Sequence, residues 1–131
     1  MKILRILFMV FAVTALFNGC NYNWIVPEEV PVIDPDDPDA PQISFANEII
    51  PIFVNNNNCT SCHNGSQVPD LRADKAYAAI NNTRYINSAT PAESMIYKYC
   101  SPETTTHMRK KYNSAQAALV LGWIQQGAKN N

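Results

Sequence analysis

Charged side chains, cysteines and long apolar runs are all scarce in this sequence. Only 16% of the residues are charged, against about 25% in ordinary soluble domains. The 10 basic and 11 acidic residues nearly cancel, so we do not expect a nucleic-acid-binding protein. Four cysteines at uneven spacing are too few to hold a disulfide-stapled miniprotein together. A chain of 131 residues also has room for only one domain.

The first apolar run is too short to cross a membrane. It covers residues 6–16, is broken only by Thr14, and follows the basic residues Lys2 and Arg5. A membrane-spanning helix needs about 20 apolar residues. A short basic segment followed by roughly 7–15 apolar residues is typical of a secretory signal. The sequence therefore predicts an exported protein.

The residues at the end of this run, Leu-Phe-Asn-Gly-Cys at positions 16–20, resemble the lipobox of bacterial lipoproteins. The resemblance implies that residues 1–19 are a signal peptide and that Cys20 becomes the lipidated first residue. The folded part would then be exported and anchored to a membrane of the bacterial cell envelope, because each buried CH₂ of an acyl chain contributes about 0.8 kcal/mol. The alternative is an ordinary secretory signal in which Cys20 is incidental.

A proline-rich and acidic segment comes next. Residues 21–41 contain five of the nine prolines and six of the 11 acidic residues, with no lysine or arginine. Proline blocks helix formation, and uncompensated carboxylates repel one another and extend the chain. We therefore expect residues 20–43 to form a lipidated, disordered tether. Residues 44–131 hold eight basic and five acidic residues, so the domain after the tether is positively charged.

Four helical segments are predicted in residues 44–131, and no stretch alternates as a strand would. Their expected limits are Ser44 to about Asn55, Asp74 to Asn81, Thr90 to about Tyr99, and Asn113 or Ser114 to Gly127. This pattern predicts an all-α domain with long loops.

The first of these helices combines a clear cap with one irregularity. Ser44 is placed to cap it, and its predicted apolar face comprises Phe45, Ile49, Ile52 and Phe53. Pro51 lies inside the segment, so the helix must kink there or expose the proline.

The third and fourth segments carry capping boxes. Thr90 and Glu93 form the first box, with Pro91 at the first helical position. Gln116 completes the second box with Asn113 or Ser114, and a glycine at position 127 ends the last helix.

The motif Cys59-Thr60-Ser61-Cys62-His63 has the spacing of a c-type haem attachment site. Two thiols three residues apart reach the two vinyl groups on one edge of a porphyrin and form thioethers with them. The adjacent His63 is then held under the iron as the proximal ligand. A covalent cofactor also supplies core to a domain of only 88 residues, and this attachment requires export.

Residues 44–131 resemble a small class I cytochrome c domain of the kind found in many exported bacterial proteins. The matching pieces are Ile-Pro-Ile-Phe at 50–53, the haem motif, His107-Met108, and Leu-Gly-Trp-Ile-Gln-Gln-Gly-Ala at 121–128. The resemblance implies about four helices around one covalently bound haem c, with the first and last helices crossing. It also implies iron ligation by His63 and Met108, and Trp123 beside the porphyrin or the first helix.

The sixth iron ligand has more than one candidate in the sequence. Met108 follows His63 by 45 residues and lies in the loop before the last helix, where the family places its methionine. His107 would instead give the iron two histidine ligands, and an open sixth site is a third possibility. Met95 is spaced with Tyr99 for helix packing, which favours a role in the core.

Cys100 is left over once Cys20 is lipidated and the motif cysteines hold haem. We expect it to be a buried thiol. The alternative is a tetrahedral zinc site built from Cys59, Cys62, Cys100 and His107, which would make the domain a zinc-stapled binding module. That site would leave His63 without a role, and reduced cysteine clusters are uncommon in exported proteins.

These observations predict a membrane-anchored monohaem c-type cytochrome that carries single electrons and is not an enzyme. An iron with His and Met ligands leaves no position for a substrate, and methionine favours Fe(II). A haem enzyme or ligand sensor with an open sixth site is the alternative, with His107 as its only distal acid–base candidate. The basic run of Arg109, Lys110 and Lys111 predicts docking to a redox partner with an acidic face.

Overall fold

The computed structural model describes residues 37, 39–107, 109 and 111–131. The predicted signal peptide, Cys20, most of the tether, Met108 and Lys110 lie outside these residues. The described part of the chain is helical and contains no strand, which confirms the all-α prediction. Within the same residues, no helix combines the length and apolar character needed to cross a membrane.

The described helices are short and follow one another in the order π turn Phe45–Ile49, α1 Ile50–Val54, 3₁₀ turn Asn55–Asn57, α2 Ala76–Ile80, 3₁₀ turn Pro91–Glu93, α3 Met95–Lys98 and α4 Ser114–Gln125. Helix α4 has 12 residues, and the others have five or fewer. Isolated helices shorter than about 12–15 residues are marginal in water. The short helices therefore depend on tertiary packing for their stability.

The first helical segment begins where the sequence predicts and adapts to its proline. The Ser44 hydroxyl accepts a hydrogen bond from Asn47 N at 3.2 Å, which confirms the predicted cap. In a regular helix the Pro51 ring would clash with the carbonyl four residues earlier. The turn before it is instead π-helical, with the Ile50 amide donating to Phe45 O five residues back. This wider turn places the proline at the start of α1, and the predicted apolar face stays buried.

An aromatic cluster joins the first and last helical segments. The ring centres of Phe45 and Trp123 are 5.0 Å apart, and Tyr77 of α2 meets Phe45 edge-on at 5.2 Å. Trp123 is only 1% exposed, and its indole Nε1–H donates to Lys129 O at 2.8 Å. Trp123 therefore fills the space beside the first helix, one of the two positions that the sequence left open.

The segment after α4 folds back over the start of the first helix. The Asn131 carbonyl accepts a hydrogen bond from Ala46 N, and its side-chain oxygen accepts one from Phe45 N, both at 2.9 Å. The Tyr77 hydroxyl donates to Ala128 O at 3.2 Å. The two bonds from Asn131 satisfy first-turn amides that have no partner inside the helix, so the two ends of the domain stabilise each other.

The third predicted helix is divided in two, and its predicted capping box is wrong. Thr90 makes no side-chain cap hydrogen bond, and a single 3₁₀ turn follows it. Ser94 then takes an extended backbone with φ −57° and ψ 130°. Its side chain is buried, and its hydroxyl accepts a hydrogen bond from Asn87 N at 2.9 Å. This bond to a preceding loop holds Ser94 outside the helix, and α3 begins at Met95.

The last helix agrees closely with its sequence prediction. Asn113 is the cap: its side chain accepts from Gln116 N at 2.8 Å, and the Gln116 side chain accepts from Asn113 N at 3.0 Å. This reciprocal pair is the predicted capping box, with Asn113 rather than Ser114 as the first member. The helix ends before Gly127, which has a φ of 95° that favours glycine.

We predict that Asn113→Ala lowers the free energy of unfolding of the full-length protein by about 1 kcal/mol, because a cap for the longest helix is lost. Ser114→Ala is the matched control, since Ser114 is exposed and is not the cap. It should change stability by less than about 0.5 kcal/mol. Urea titration followed by far-ultraviolet circular dichroism measures both variants. Equal losses in the two would contradict the assignment of the cap.

Candidate functional site

A cavity of about 390 Å³ collects most of the residues that the sequence singles out. This volume lies within the range of about 300–1,000 Å³ that is usual for ligand and cofactor pockets. The predicted site residues that line it are Cys59, Cys62, His63, Cys100, His107 and Arg109. Much of the remaining wall is apolar, with Leu71, Ile96 and Tyr112 among its residues.

The two motif cysteines lie on one backbone turn beneath α1. The Cys59 amide donates to Phe53 O at 2.9 Å, and this hydrogen bond anchors the turn to the end of that helix. The Cys59 carbonyl accepts from Cys62 N at 3.1 Å and from His63 N at 2.9 Å. Cys59, Cys62 and His63 are all half-buried. One turn therefore presents both sulfur atoms and the imidazole to the same cavity.

The His63 ring is fixed by a backbone carbonyl on its far side. Its Nδ1 lies 3.0 Å from Pro69 O, and a carbonyl oxygen only accepts hydrogen bonds. In the neutral imidazole the proton therefore sits on Nδ1, and the lone pair is on Nε2. A histidine ligand to a metal is typically oriented in this way, by donating its other ring N–H to a carbonyl or carboxylate. The His63 carbonyl also accepts from Leu71 N at 2.8 Å, which closes the loop between them.

An ion pair supports the loop that supplies the Pro69 carbonyl. Arg72 Nη2 and Asp70 Oδ2 are 2.6 Å apart, and this hydrogen bond lowers the pKa of the Asp70 carboxyl. Gly65 has a φ of 99°, and a Cβ there would lie 3.3 Å from Arg72 Nη2. The ion pair therefore packs against a position that favours glycine, next to the haem motif.

His107 shares the cavity with His63. The centres of the two imidazole rings are 6.3 Å apart, and their planes differ by 25°. His107 Nδ1 is buried and has no hydrogen-bond partner among the residues that the structure describes. Buried polar atoms are almost always paired, so this nitrogen marks a place where a partner group belongs. The neighbouring Met108 lies outside the described residues, and its predicted role stays a prediction.

Cys100 and Tyr112 form the wall behind the motif cysteines. Tyr112 N donates to Cys100 O at 2.8 Å, and the buried Tyr112 hydroxyl donates to Ile96 O at 3.0 Å. Burial raises the pKa of the Cys100 thiol to about 11, and it also raises the pKa of Tyr112. Both groups are therefore neutral at physiological pH, and the wall is an uncharged surface. The sequence predicts a buried thiol at Cys100, whereas the structure leaves this residue half-buried against the core.

The zinc alternative finds no support in the arrangement of its four side chains. It needs Cys59, Cys62, Cys100 and His107 at the corners of one tetrahedron, and all four are described. Within residues 37–131, apart from positions 38, 108 and 110, no three His, Cys, Asp or Glu side chains converge closely enough to hold a metal ion.

The sequence did not identify several other residues that line the cavity, namely Val68, Arg84, Tyr85, Tyr99 and Tyr112. One of them had a local signal: Tyr112 directly precedes the Asn113 cap, and an apolar residue there commonly packs against the helix. Val68, Arg84 and Tyr85 lie in loops with no periodic pattern from which their placement follows, and the helical spacing of Tyr99 indicated packing in the core.

Met95 and Tyr99 differ from the packing pair that the sequence predicts. Met95 packs against the core as expected, but it also lines the cavity. Tyr99 is 45% exposed and stands at the edge of the same cavity. Met95 therefore has a place at the site as well as in the core.

Comparisons of the chain with protein-family models, with curated proteins and with solved structures gave no match. The chemistry of the cavity is therefore the basis on which a function is proposed.

We predict that Cys100 reacts with iodoacetamide at pH 8 at least about tenfold more slowly in the folded full-length protein than in the urea-unfolded protein. The raised pKa leaves about a hundredfold less thiolate, and the higher intrinsic nucleophilicity of a basic thiolate recovers only part of that loss. The rate should rise as the pH approaches 11. Mass spectrometry of the peptide that contains Cys100 measures the reaction. Equal rates in the two states would contradict the shielded environment.

Proposed function

We propose that this protein is a monohaem c-type cytochrome that transfers single electrons. The observation that carries the proposal is the arrangement of Cys59, Cys62 and His63 on one turn, with the His63 ring fixed by Pro69 O. In the neutral ring this arrangement leaves a lone pair on Nε2 of His63, and both cysteines line the same cavity. A thiol pair beside an oriented imidazole is the donor set that haem c requires.

The residues around the cavity fit a covalently bound porphyrin. Each motif thiol would add across one vinyl group, so that a sulfur–carbon bond forms and the thiol hydrogen moves to the other vinyl carbon. No oxidant or reductant is needed for this addition. The apolar side chains Leu71 and Ile96 line the cavity and would keep water from the ring. Arg84 lines the same cavity and would supply positive charge to acidic substituents.

A haem bound there would carry one electron as its iron changes between Fe(II) and Fe(III). The chain contributes His63 on one side, and the dipeptide His107-Met108 supplies the candidates for the other side. A side chain from this dipeptide that binds the iron would leave no position for a substrate. This is the reason for proposing electron transfer over the alternative of an open-site enzyme or ligand sensor.

The proposal includes export and anchoring of the domain at a membrane of the bacterial cell envelope. Cys20 would carry the lipid, and the proline-rich segment up to residue 43 would link it to the domain. A flexible segment of this length gives a root-mean-square reach on the order of 25 Å, and more if proline extends it. The haem domain would then act as a local electron relay near the membrane.

We predict that Cys59→Ala combined with Cys62→Ala abolishes covalent haem, because no thiol remains on the motif turn. Cys100→Ala is the matched control: it removes the third thiol of the cavity and should keep the haem attached. Haem staining after denaturing electrophoresis and pyridine haemochrome spectra of protein matured in a host with c-type haem machinery measure both variants. Covalent haem in the double variant, or its absence from the wild type, would overturn the proposed function.

The proposed redox partner has an acidic docking face. Val68 and Tyr99 stand at the cavity and are 74% and 45% exposed. Arg109 and Lys111 are also exposed, and Arg109 lines the cavity. Exposed apolar side chains beside positive charge suit a brief encounter with an acidic protein, since complementary charge raises association rates more than affinity.

We predict that replacing Arg109, Lys110 and Lys111 with Gln slows reduction by an acidic flavodoxin roughly tenfold at low salt. The haem spectrum should be unchanged, and the difference should shrink near 0.5 M salt, where screening shortens to about 4 Å. Lys75→Gln with Lys129→Gln is the control, because both lysines are exposed and neither lines the cavity. Stopped-flow absorbance follows the reaction. Equal reduction rates at low salt in the wild type and the triple variant would show that the basic run is a solvated loop with no role in docking.

A further inference from the structure

Two histidines face one cavity, and only one of them has a role in the haem motif. We propose that His107, rather than Met108, is the second axial ligand of the iron, so that the haem has two imidazole ligands. This inference rests on the proposed function, since it concerns the haem that Cys59 and Cys62 would hold. It departs from the methionine ligation that the family resemblance implies.

The distance between the rings is the first argument. An imidazole nitrogen binds a first-row transition metal at about 2.0–2.1 Å and lies about 1.1–1.2 Å from its ring centre. Two imidazoles on opposite sides of one metal therefore have ring centres about 6.4 Å apart. The ring centres of His63 and His107 are 6.3 Å apart. This spacing is the one expected for a single metal ion held between two imidazoles.

The surroundings of His107 give an independent argument. Its Nδ1 is buried and has no partner among the described residues, whereas Nδ1 of His63 is paired with Pro69 O. An imidazole nitrogen withdrawn from water without a partner carries a desolvation cost that a metal bond would remove. The cavity that both rings line lies next to the thiols that would fix the porphyrin.

The two methionines that compete with His107 as iron ligands have weaker structural support for that role. Met95 belongs to α3 and is packed against the core, so its side chain already has a structural role. Met108 is supported by its position in the sequence and by the family resemblance. Two imidazoles stabilise Fe(III) relative to a histidine–methionine pair. The inference therefore also predicts a lower reduction potential than a methionine-ligated cytochrome of this size would have.

The test compares the full-length, haem-loaded wild type with the variants His107→Ala, Met108→Leu and Met95→Leu. Visible and electron paramagnetic resonance spectra of the ferric protein report the ligands, and a redox titration gives the potential. We expect a low-spin wild type without a sulfur-to-iron charge-transfer band. Met108→Leu and Met95→Leu should keep the low-spin spectrum, and Met108→Leu should also keep the potential. His107→Ala should lose the low-spin signal, and its ferrous form should bind carbon monoxide.

A rescue experiment separates ligation from a structural role of His107. The variant His107→Gly should regain the low-spin spectrum when imidazole is added, because free imidazole fills the vacated position. Two results would overturn the inference: a charge-transfer band in the wild type that Met108→Leu removes, or a wild type that already binds carbon monoxide as an open site would. Failure of the proposed function looks different, since no variant would then carry covalent haem at all.

Discussion

The contact between Phe45 and Trp123 holds the first and last helical segments together, and the remaining elements assemble around it. Apart from α4, no described helix has more than five residues, and such helices do not persist alone in water. Trp123 is almost fully buried against Phe45, and its indole nitrogen is satisfied by Lys129 O. A hydrogen bond to Phe53 O at the end of α1 also anchors the turn that carries the motif cysteines. Weakening the aromatic contact would therefore loosen the turn that presents the motif cysteines.

The sequence was informative about the fold where a helix limit depends on atoms close together in the chain. The Ser44 cap and the box of Asn113 and Gln116 each join residues only three apart, so a local pattern contains all of their chemistry. The interruption of the helix at Ser94 depends on a bond to Asn87 in an aperiodic loop. The sequence pattern of Thr90 to Glu93 predicted a capping box instead and did not indicate this interruption. The π turn before Pro51 was predictable only in part. The proline indicated that the helix is irregular there, but not that the irregularity is a π turn.

The same distinction applies to the candidate site. The spacing of Cys59, Cys62 and His63 was enough to place all three side chains on one cavity wall, since a single turn carries them. The orientation of the His63 ring was not predictable, because it depends on where a separate loop puts the Pro69 carbonyl. His107 and Met108 are neighbours, so sequence spacing cannot separate their roles. The proposal of His107 rests on three-dimensional observations, namely the distance between the two imidazoles and the buried Nδ1 of His107.

The raised pKa of the Cys100 thiol has a consequence for the proposed attachment of haem. Three thiols line one cavity, and an oxidising compartment favours disulfides between neighbouring cysteines. Formation of a mixed disulfide begins with attack by a thiolate, and the raised pKa of Cys100 keeps its thiolate scarce at neutral pH. The Cys100 thiol should therefore react more slowly than an ordinary cysteine thiol. The environment of Cys100 would slow the formation of a disulfide between Cys100 and a motif cysteine. It would thereby favour haem attachment, although Cys100 itself would form no bond to the cofactor.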